Sequence, residues 1–277
     1  MGANQGYSAV GGDRIPTSRE MRINPIRRSL VAVLAAIALK PFAALAAAWN
    51  KDGFGAKTAA DALKILGASN PVASRDVVIE APQIAENGAV VPIEITSNVP
   101  GTTSIAVLID KNPFPLVGKF DFMEGALPFV KLNAKVGETS EVRVVAEALG
   151  KHYVATQEIK VTIGGCGGWR GRATMAGPMK MRATLSGGVT DVRVLMTHPM
   201  ETGQRKDPDG KLVPLHFIQN VTLKVNGKTV VESQISQGIS RNPVFTFRIK
   251  GGAKGDRIEV SWIDNHGETN QTETAVA

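Results

Sequence analysis

One cysteine, Cys166, stands among 277 residues, so the chain cannot close a disulfide within itself. It also lacks an apolar run long enough to cross a bilayer. Leu30 to Leu39 is weakly apolar and alanine-rich, about ten residues where a crossing helix needs about twenty. There is no Lys/Arg block. The net charge of +7 suggests an anionic partner such as nucleic acid, but residues 1–48 hold +4 of it and the remaining +3 is spread thinly, which supports neither DNA nor membrane binding. His152, His198, His216 and His266 are scattered, and with one cysteine they show none of the paired ligand spacings of zinc or iron sites, so neither metal nor cofactor is expected. The glycines around Cys166 lack a Gly-Lys-Ser/Thr ending and no amphipathic helix follows them, which removes a phosphate-cradling loop.

What is present begins with a leader. Arg27-Arg28 precedes the short apolar run, and small residues ending Ala46-Ala47-Ala48 follow it, the order of an export signal over residues 1–48. The paired arginines resemble a twin-arginine signal, although Asn24-Pro25-Ile26-Arg27-Arg28-Ser29-Leu30 lacks the usual Phe and nearby Lys, so the general secretory route stays open. A start at Met21 would give a basic segment of ordinary length and leave residues 1–20 outside the protein. The mature chain is expected to begin near Trp49, in the periplasm, with no membrane span.

Export changes how Cys166 is read. An unpaired thiol in an oxidising compartment is a liability unless it has a task. The bland alternative, a small buried hydrophobe, fits badly: Gly164, Gly165, Gly167 and Gly168 flank it, supply nothing to pack against, and make the backbone maximally permissive. The segment reads as an accessible swinging arm and the thiol as a point of covalent attachment. Arg170 and Arg172 follow at once; they either favour the thiolate and accompany an anionic adduct or are plain solvated arginines. No histidine shares a motif with Cys166, and a flexible arm is a poor way to hold a nucleophile against a base, so an enzyme is not expected.

One helix is expected between Trp49 and Gly67, from the near-helical spacing of Ala59, Ala60, Ala62, Leu63, Ile65 and Leu66, with Gly67 as its stop. Strand-like runs follow at 77–81, 90–96, 104–110, 116–122, 141–148 and 154–163. A second series lies at 179–185, 189–196, 217–225, 229–235, 244–250, 258–264 and 269–274, with Asn226-Gly227 as a hairpin turn. The fold class is all-β: two immunoglobulin-like β-sandwich domains with a short N-terminal helix after a cleaved signal peptide. Their bounds are 49–163 and 179–277, joined by a glycine-rich arm and linker at 164–178. The polar segment from Thr197 to Asp207 is long for a connection, and either a functional loop or a solvated one suits it.

Particular motifs carry a family resemblance. Ala85-Glu86-Asn87-Gly88-Ala89-Val90-Val91-Pro92, Lys111-Asn112-Pro113-Phe114-Pro115 and Val161-Thr162-Ile163-Gly164-Gly165-Cys166-Gly167-Gly168 are similar to SoxY. His198-Pro199-Met200-Glu201-Thr202-Gly203-Gln204-Arg205-Lys206-Asp207, with Asn226-Gly227 and Asn242-Pro243, is similar to SoxZ. The chain thus resembles a SoxYZ fusion, including the type associated with quinoprotein alcohol dehydrogenases.

The resemblance implies a carrier that catalyses nothing, with the halves paired intramolecularly and thiosulfate-derived sulfur borne on Cys166. It implies as partners a c-type cytochrome that loads the sulfur, a manganese-dependent thiohydrolase that removes sulfate, and a sulfane or quinoprotein dehydrogenase. His198, Met200, Glu201, Arg205 and Lys206 then become candidates for a partner-facing loop. One departure stands out: in separate SoxY chains the arm is a free C-terminus, whereas here Trp169 and a second domain continue from it. The rival reading is a non-covalent adaptor for a periplasmic dehydrogenase or cytochrome.

Overall fold

The computed structural model describes residues 48–164 and 177–277. The leader through residue 47, Gly165, Cys166, Gly167, Gly168, Arg170 and Arg172 lie outside the described residues.

The expected helix is two. Asn50 Oδ1 accepts from the Gly53 amide at 2.9 Å and caps α1 (Lys51–Gly55), and Thr58 Oγ1 accepts from the Asp61 amide at 3.0 Å and caps α2 (Ala59–Ile65). Extended backbone at Ala56 separates them. Gly67, at φ +76°, ends α2 as expected: its amide bonds to the Lys64 carbonyl while Ala68 reaches back to Leu63, the double bond of a Schellman cap.

The rest is sheet. The first half contributes β1 (Val72–Ala73), β2 (Val77–Glu80), β3 (Ile84–Ala85), β4 (Val91–Ser97), β5 (Thr102–Ile109), β6 (Leu116–Phe122), β7 (Ala126–Ala134), β8 (Ser140–Ala148) and β9 (Lys151–Val161). The second contributes β10 (Lys180–Ser186), β11 (Val189–Leu195), β12 (Ile218–Val225), β13 (Lys228–Ile235), β14 (Val244–Lys250), β15 (Arg257–Asp264) and β16 (Thr269–Ala275). Asn226 and Gly227, at φ +49° and +81°, make the predicted tight turn between β12 and β13.

The two halves do more than pack on one another, because each sheet runs through both. The ten-stranded sheet is ordered β1-β9-β8-β5-β6-β13-β12-β15-β16, with β3 also on β9; the six-stranded sheet is β10-β11-β14-β7-β4-β2. The crossings are antiparallel ladders, β6 on β13 from Phe122↔Val231 to Gly118↔Ile235, and β7 on β14 at Lys131↔Thr246 and Val130↔Phe247. One apolar core fills the space between the layers and continues across the seam, where the Phe120 ring of the first half meets Phe245 of the second edge-on at 6.0 Å.

β7 has no counterpart among the expected strands because Pro128 interrupts it, and proline cannot donate to a ladder. Here the β4 ladder stops at Phe129 and the β14 ladder shifts register between Phe247 and Ile249, so Pro128 falls where no bond is required.

The residues just before α1 tie the halves as well. Trp49 stacks on Phe54 at 5.0 Å, tilts against Phe217 at 5.5 Å, and donates from Nε1 to the Ile235 carbonyl at 3.0 Å. The Asn50 amide donates to Gln234 Oε1 at 2.9 Å.

Candidate functional site

Both roots of the cysteine arm are held, and both lie at one end of the six-stranded sheet. Val91↔Ala134 and Leu195↔Val244 mark that end, and the departing root sits beside the loops flanking β4 and β7 while the returning root sits beside the end of β11. At departure, the Ile163 carbonyl accepts from the Gly88 amide at 2.8 Å, and the Gly88 carbonyl accepts from Val136 at 2.7 Å. Thr162 Oγ1 donates to the Glu86 carbonyl at 3.0 Å. Gly164 is more than a flexible joint: a Cβ there would collide with the Gly137 carbonyl oxygen, so only glycine fits. At return, the Gly177 amide donates to the Thr197 carbonyl at 3.2 Å, and Asn270 Nδ2 donates to the Gly177 carbonyl at 3.1 Å.

Asn112, from the Lys-Asn-Pro-Phe-Pro motif, supports the departing root. It is buried, donates from Nδ2 to the Lys135 carbonyl at 2.8 Å and accepts the Gly137 amide on Oδ1 at 3.0 Å, which sets the carbonyl that Gly164 passes. Lys135 carries the same element into the second half, donating from Nζ to the carbonyls of Met200, Gln237 and Ile239 at 2.8, 2.7 and 2.7 Å. Three carbonyls around one ammonium fix the seam beside the arm. Lys135→Met is expected to lower stability by about 3 kcal/mol, read from equilibrium denaturation; a change below half of that would show the carbonyls satisfied by water. A groove between the halves, lined by Asn112, Pro113, Phe114, Thr202, Gln204 and Gly238, opens next to this lysine.

The loop expected to face partners divides. His198 and Met200 are buried, so their side chains hold the loop and do not face outward. Glu201 and Arg205 are spent on each other: Arg205 Nη2 lies 2.7 Å from Glu201 Oε1, and this hydrogen bond raises the guanidinium pKa. Lys206 is exposed.

What anchors His198 had no signal in the spacing of histidines along the chain. Asp264, at the end of β15, accepts on one carboxylate oxygen from His198 Nε2 at 3.2 Å and His216 Nε2 at 2.7 Å, and on the other from the amides of His266 and Glu268 at 2.9 and 2.8 Å. The His266 ring stacks on His216 at 4.1 Å. Burial, the largest influence, would raise the Asp264 pKa, but the hydrogen bonds from His216, His198 and the two amides together outweigh it and hold the carboxyl below its ordinary value. Burial pushes His198 down to about 4, against the raising effect of its bond to Asp264.

His198, His216 and Asp264 place one donor atom each within 4.8 Å of one another, a spacing that a cation could bridge. The proton inventory opposes it. His198 Nδ1 accepts the Met200 amide at 3.1 Å, so the proton of the neutral ring sits on Nε2, the atom aimed at Asp264. A metal there would need an imidazolate, whereas ligating histidines donate from their other nitrogen. The cluster is a hydrogen-bonded latch that ties the 198–216 loop to β15. His152 lies on β9, opposite Glu147, and has no part in it.

This architecture is that of two joined immunoglobulin-like halves whose two sheets run through both. The family model of the sulfur oxidation protein SoxY matches residues 62–166, and that of the sulphur oxidation protein SoxZ matches residues 179–275. The solved structure of the sulfur carrier protein SoxY from Chlorobium limicola f thiosulfatophilum is 37% identical, covers 40% of this chain and 97% of its own, and superposes with a TM-score of 0.36. A putative superoxide reductase from Thermotoga maritima is 20% identical over 33% of this chain and 87% of its own, with a TM-score of 0.28. The superoxide reductase neelaredoxin from Ignicoccus hospitalis is 17% identical over 35% and 86%, with a TM-score of 0.29. No curated protein matches. The chain belongs to the SoxY and SoxZ families, fused in that order, and its domains are those of a sulfur-oxidation carrier.

Proposed function

We propose that this chain is a periplasmic carrier that bears sulfur intermediates covalently on Cys166 and presents them to partner enzymes. The observation that supports this most is the position of the thiol: the SoxY match ends on Cys166, and the SoxZ match begins at residue 179 on a sheet that both halves share. Loading forms a sulfur–sulfur bond between the Cys166 thiolate and the outer sulfur of thiosulfate, with two electrons passing to a c-type cytochrome. Hydrolysis of the adduct by the manganese-dependent thiohydrolase releases sulfate and two protons and leaves a persulfide anion on the cysteine. A sulfane or quinoprotein dehydrogenase takes the remaining sulfur onward. The carrier holds no cofactor and supplies presentation, with Arg170 and Arg172 accompanying the anionic adduct.

Intact mass tests the proposal. Chain purified from thiosulfate-grown cells should carry sulfur or thiosulfonate additions that vanish on reduction, and Cys166→Ser should carry none and abolish thiosulfate-dependent growth. An unmodified thiol together with an undiminished serine variant would make the protein a non-covalent adaptor.

A further inference from the structure

The positive charge that looks thinly spread along the chain is gathered by the ladders. On the outer face of the six-stranded sheet, Arg182 of β10 stands opposite Arg193 of β11, Arg193 opposite Thr246 of β14, Thr246 opposite Lys131 of β7, and Lys131 opposite Glu94 of β4. Their neighbours Ala183, Val192, Phe247 and Val130 point into the core, so this row faces solvent. Lys131 pairs with Glu94 at 3.0 Å. Arg248, two residues along β14, pairs with Asp191 at 3.1 Å and lies over the Phe129 ring at 3.7 Å. All of these line one cleft.

Arg182 and Arg193 are left over. Both are exposed, and among the described residues neither has an ion-pair partner. Directly opposed in an antiparallel ladder, with Cα atoms about 5 Å apart, they repel one another. A charge on an edge strand has an ordinary use, discouraging further strand pairing, and that accounts for Arg182 on β10. It does not account for Arg193, one strand further in. The row also adjoins the arm: Lys180, Leu195 and Val244 mark the end of the sheet where the arm has its roots, and the arginines come two residues later, about 7 Å along the strands.

The size and mixture of the row indicate its occupant. From Arg182 to Lys131 it crosses four strands, about 14 Å, more than one small oxoanion spans. Water screens each exposed arginine, so a single small anion is held weakly. Glu94 and Asp191 interrupt the positive charge, which suits the mixed surface of a protein better than the uniform charge of a phosphate backbone.

We propose that this face docks the partner that loads the thiol, and that the partner bears an acidic surface beside its reactive centre, which neutralises Arg182 and Arg193. The loading role rests on the carrier reading; the charge pattern does not. Docking of this kind acts mainly on the encounter rate and weakens with salt.

Two readouts test it. Octaglutamate, a defined acidic peptide, should bind the wild-type chain with amide shifts centred on β10 and β11. Arg182→Glu with Arg193→Glu should weaken that binding about tenfold. Lys151→Glu with Lys254→Glu, the same change in net charge at exposed lysines on β9 and in the β14–β15 turn, should leave it unchanged. Loading then compares two routes to the same adduct. Tetrathionate loads the thiolate chemically, releasing thiosulfate and leaving the thiosulfonate on Cys166; thiosulfate with the c-type cytochrome loads it enzymatically. The arginine reversal should cut enzymatic kcat/KM about 30-fold at low salt, with the gap closing as salt rises, while tetrathionate loads it at close to the wild-type rate. Equal enzymatic loading of wild type and the reversal overturns the docking face. An equal loss in the lysine reversal also overturns it, because net charge alone then acts. Sulfate that displaces octaglutamate at a matched concentration of charge would make the row a small-anion site and overturn it as well. If octaglutamate binds as expected and the cytochrome fails to load even the wild-type chain, the carrier reading falls and the face stands as a site for an acidic protein.

Discussion

Replacing Asp264 with alanine is expected to lower the stability of the chain by about 3–5 kcal/mol, the range for breaking a buried charged hydrogen-bond set. Asp264 and His198 are both fully buried, and the carboxylate accepts from His198, His216 and the amides of His266 and Glu268. Alanine would leave the His198 Nε2–H without an acceptor in a site closed to water, and it would release two amides at the β15–β16 turn. The damage should spread to the seam, because the latch fixes Met200, whose carbonyl accepts from Lys135. Urea denaturation reads the loss; a cost near 1 kcal/mol would mean that the loop relaxes and lets water in.

The same latch makes stability depend on pH. His198 has a folded pKa of about 4 against an ordinary 6.5, so between these values the unfolded chain binds a proton that the folded chain refuses. Its contribution is complete above pH 6.5 and is lost as pH falls from 6.5 to 4, about 3 kcal/mol over the window. Asp264, with a lowered pKa, contributes in the same direction, with its loss on acidification falling below its ordinary value of 3.8. His198→Gln should flatten the upper window, and denaturation midpoints from pH 4 to 7 would show it. A slope unchanged in the glutamine variant would assign the dependence to other groups.

Much of this was legible in the residues, and the failures have specific causes. Thirteen expected strands fall on strands of the structure, and the Asn226-Gly227 turn is where its left-handed backbone demanded. β7 was hidden by Pro128, and with it the ladder to β14 that fuses the halves in the six-stranded sheet. No local pattern announces which edge strands of two domains will pair, because that choice depends on faces meeting in space. The latch was hidden for a related reason: β12 pairing with β15 at Ile218↔Asp264 brings His216 to Asp264, and the Glu201↔His216 bridge brings His198 in, while along the chain they look scattered. Loop length left Thr197–Asp207 open between a functional and a solvated loop and the SoxZ resemblance suggests a partner-facing one, but period offers no warning that a polar loop can turn its histidine and methionine inward.

Deleting Gly165 is expected to cut enzymatic loading of Cys166 about 100-fold, the cost of an ångström-scale misplacement of a reacting atom, while tetrathionate still loads it. The fusion ties the arm at both ends, but the two tethers are unequal. Cys166 lies two residues from Gly164 and eleven from Gly177, so the near tether alone sets the reach, as it does in an arm that ends freely. Deleting Gly165 removes one of those two steps, about 3.6 Å of ~7 Å. Inserting Gly-Ser between Thr174 and Met175 lengthens the far tether and should leave the loading rate unchanged. The fusion therefore changes the width of what a partner must admit, since a returning chain with Trp169 accompanies the thiol, and leaves its depth as it was. Cutting the far tether with an inserted protease site should keep the halves together, because both sheets and the Lys135 carbonyl set span the seam, and should narrow the arm to a tail. Faster loading of the cut chain would identify a partner with a narrow mouth, and an equal rate one with an open mouth. If the Gly165 deletion loaded enzymatically as fast as wild type, the near tether would not be what limits the reach.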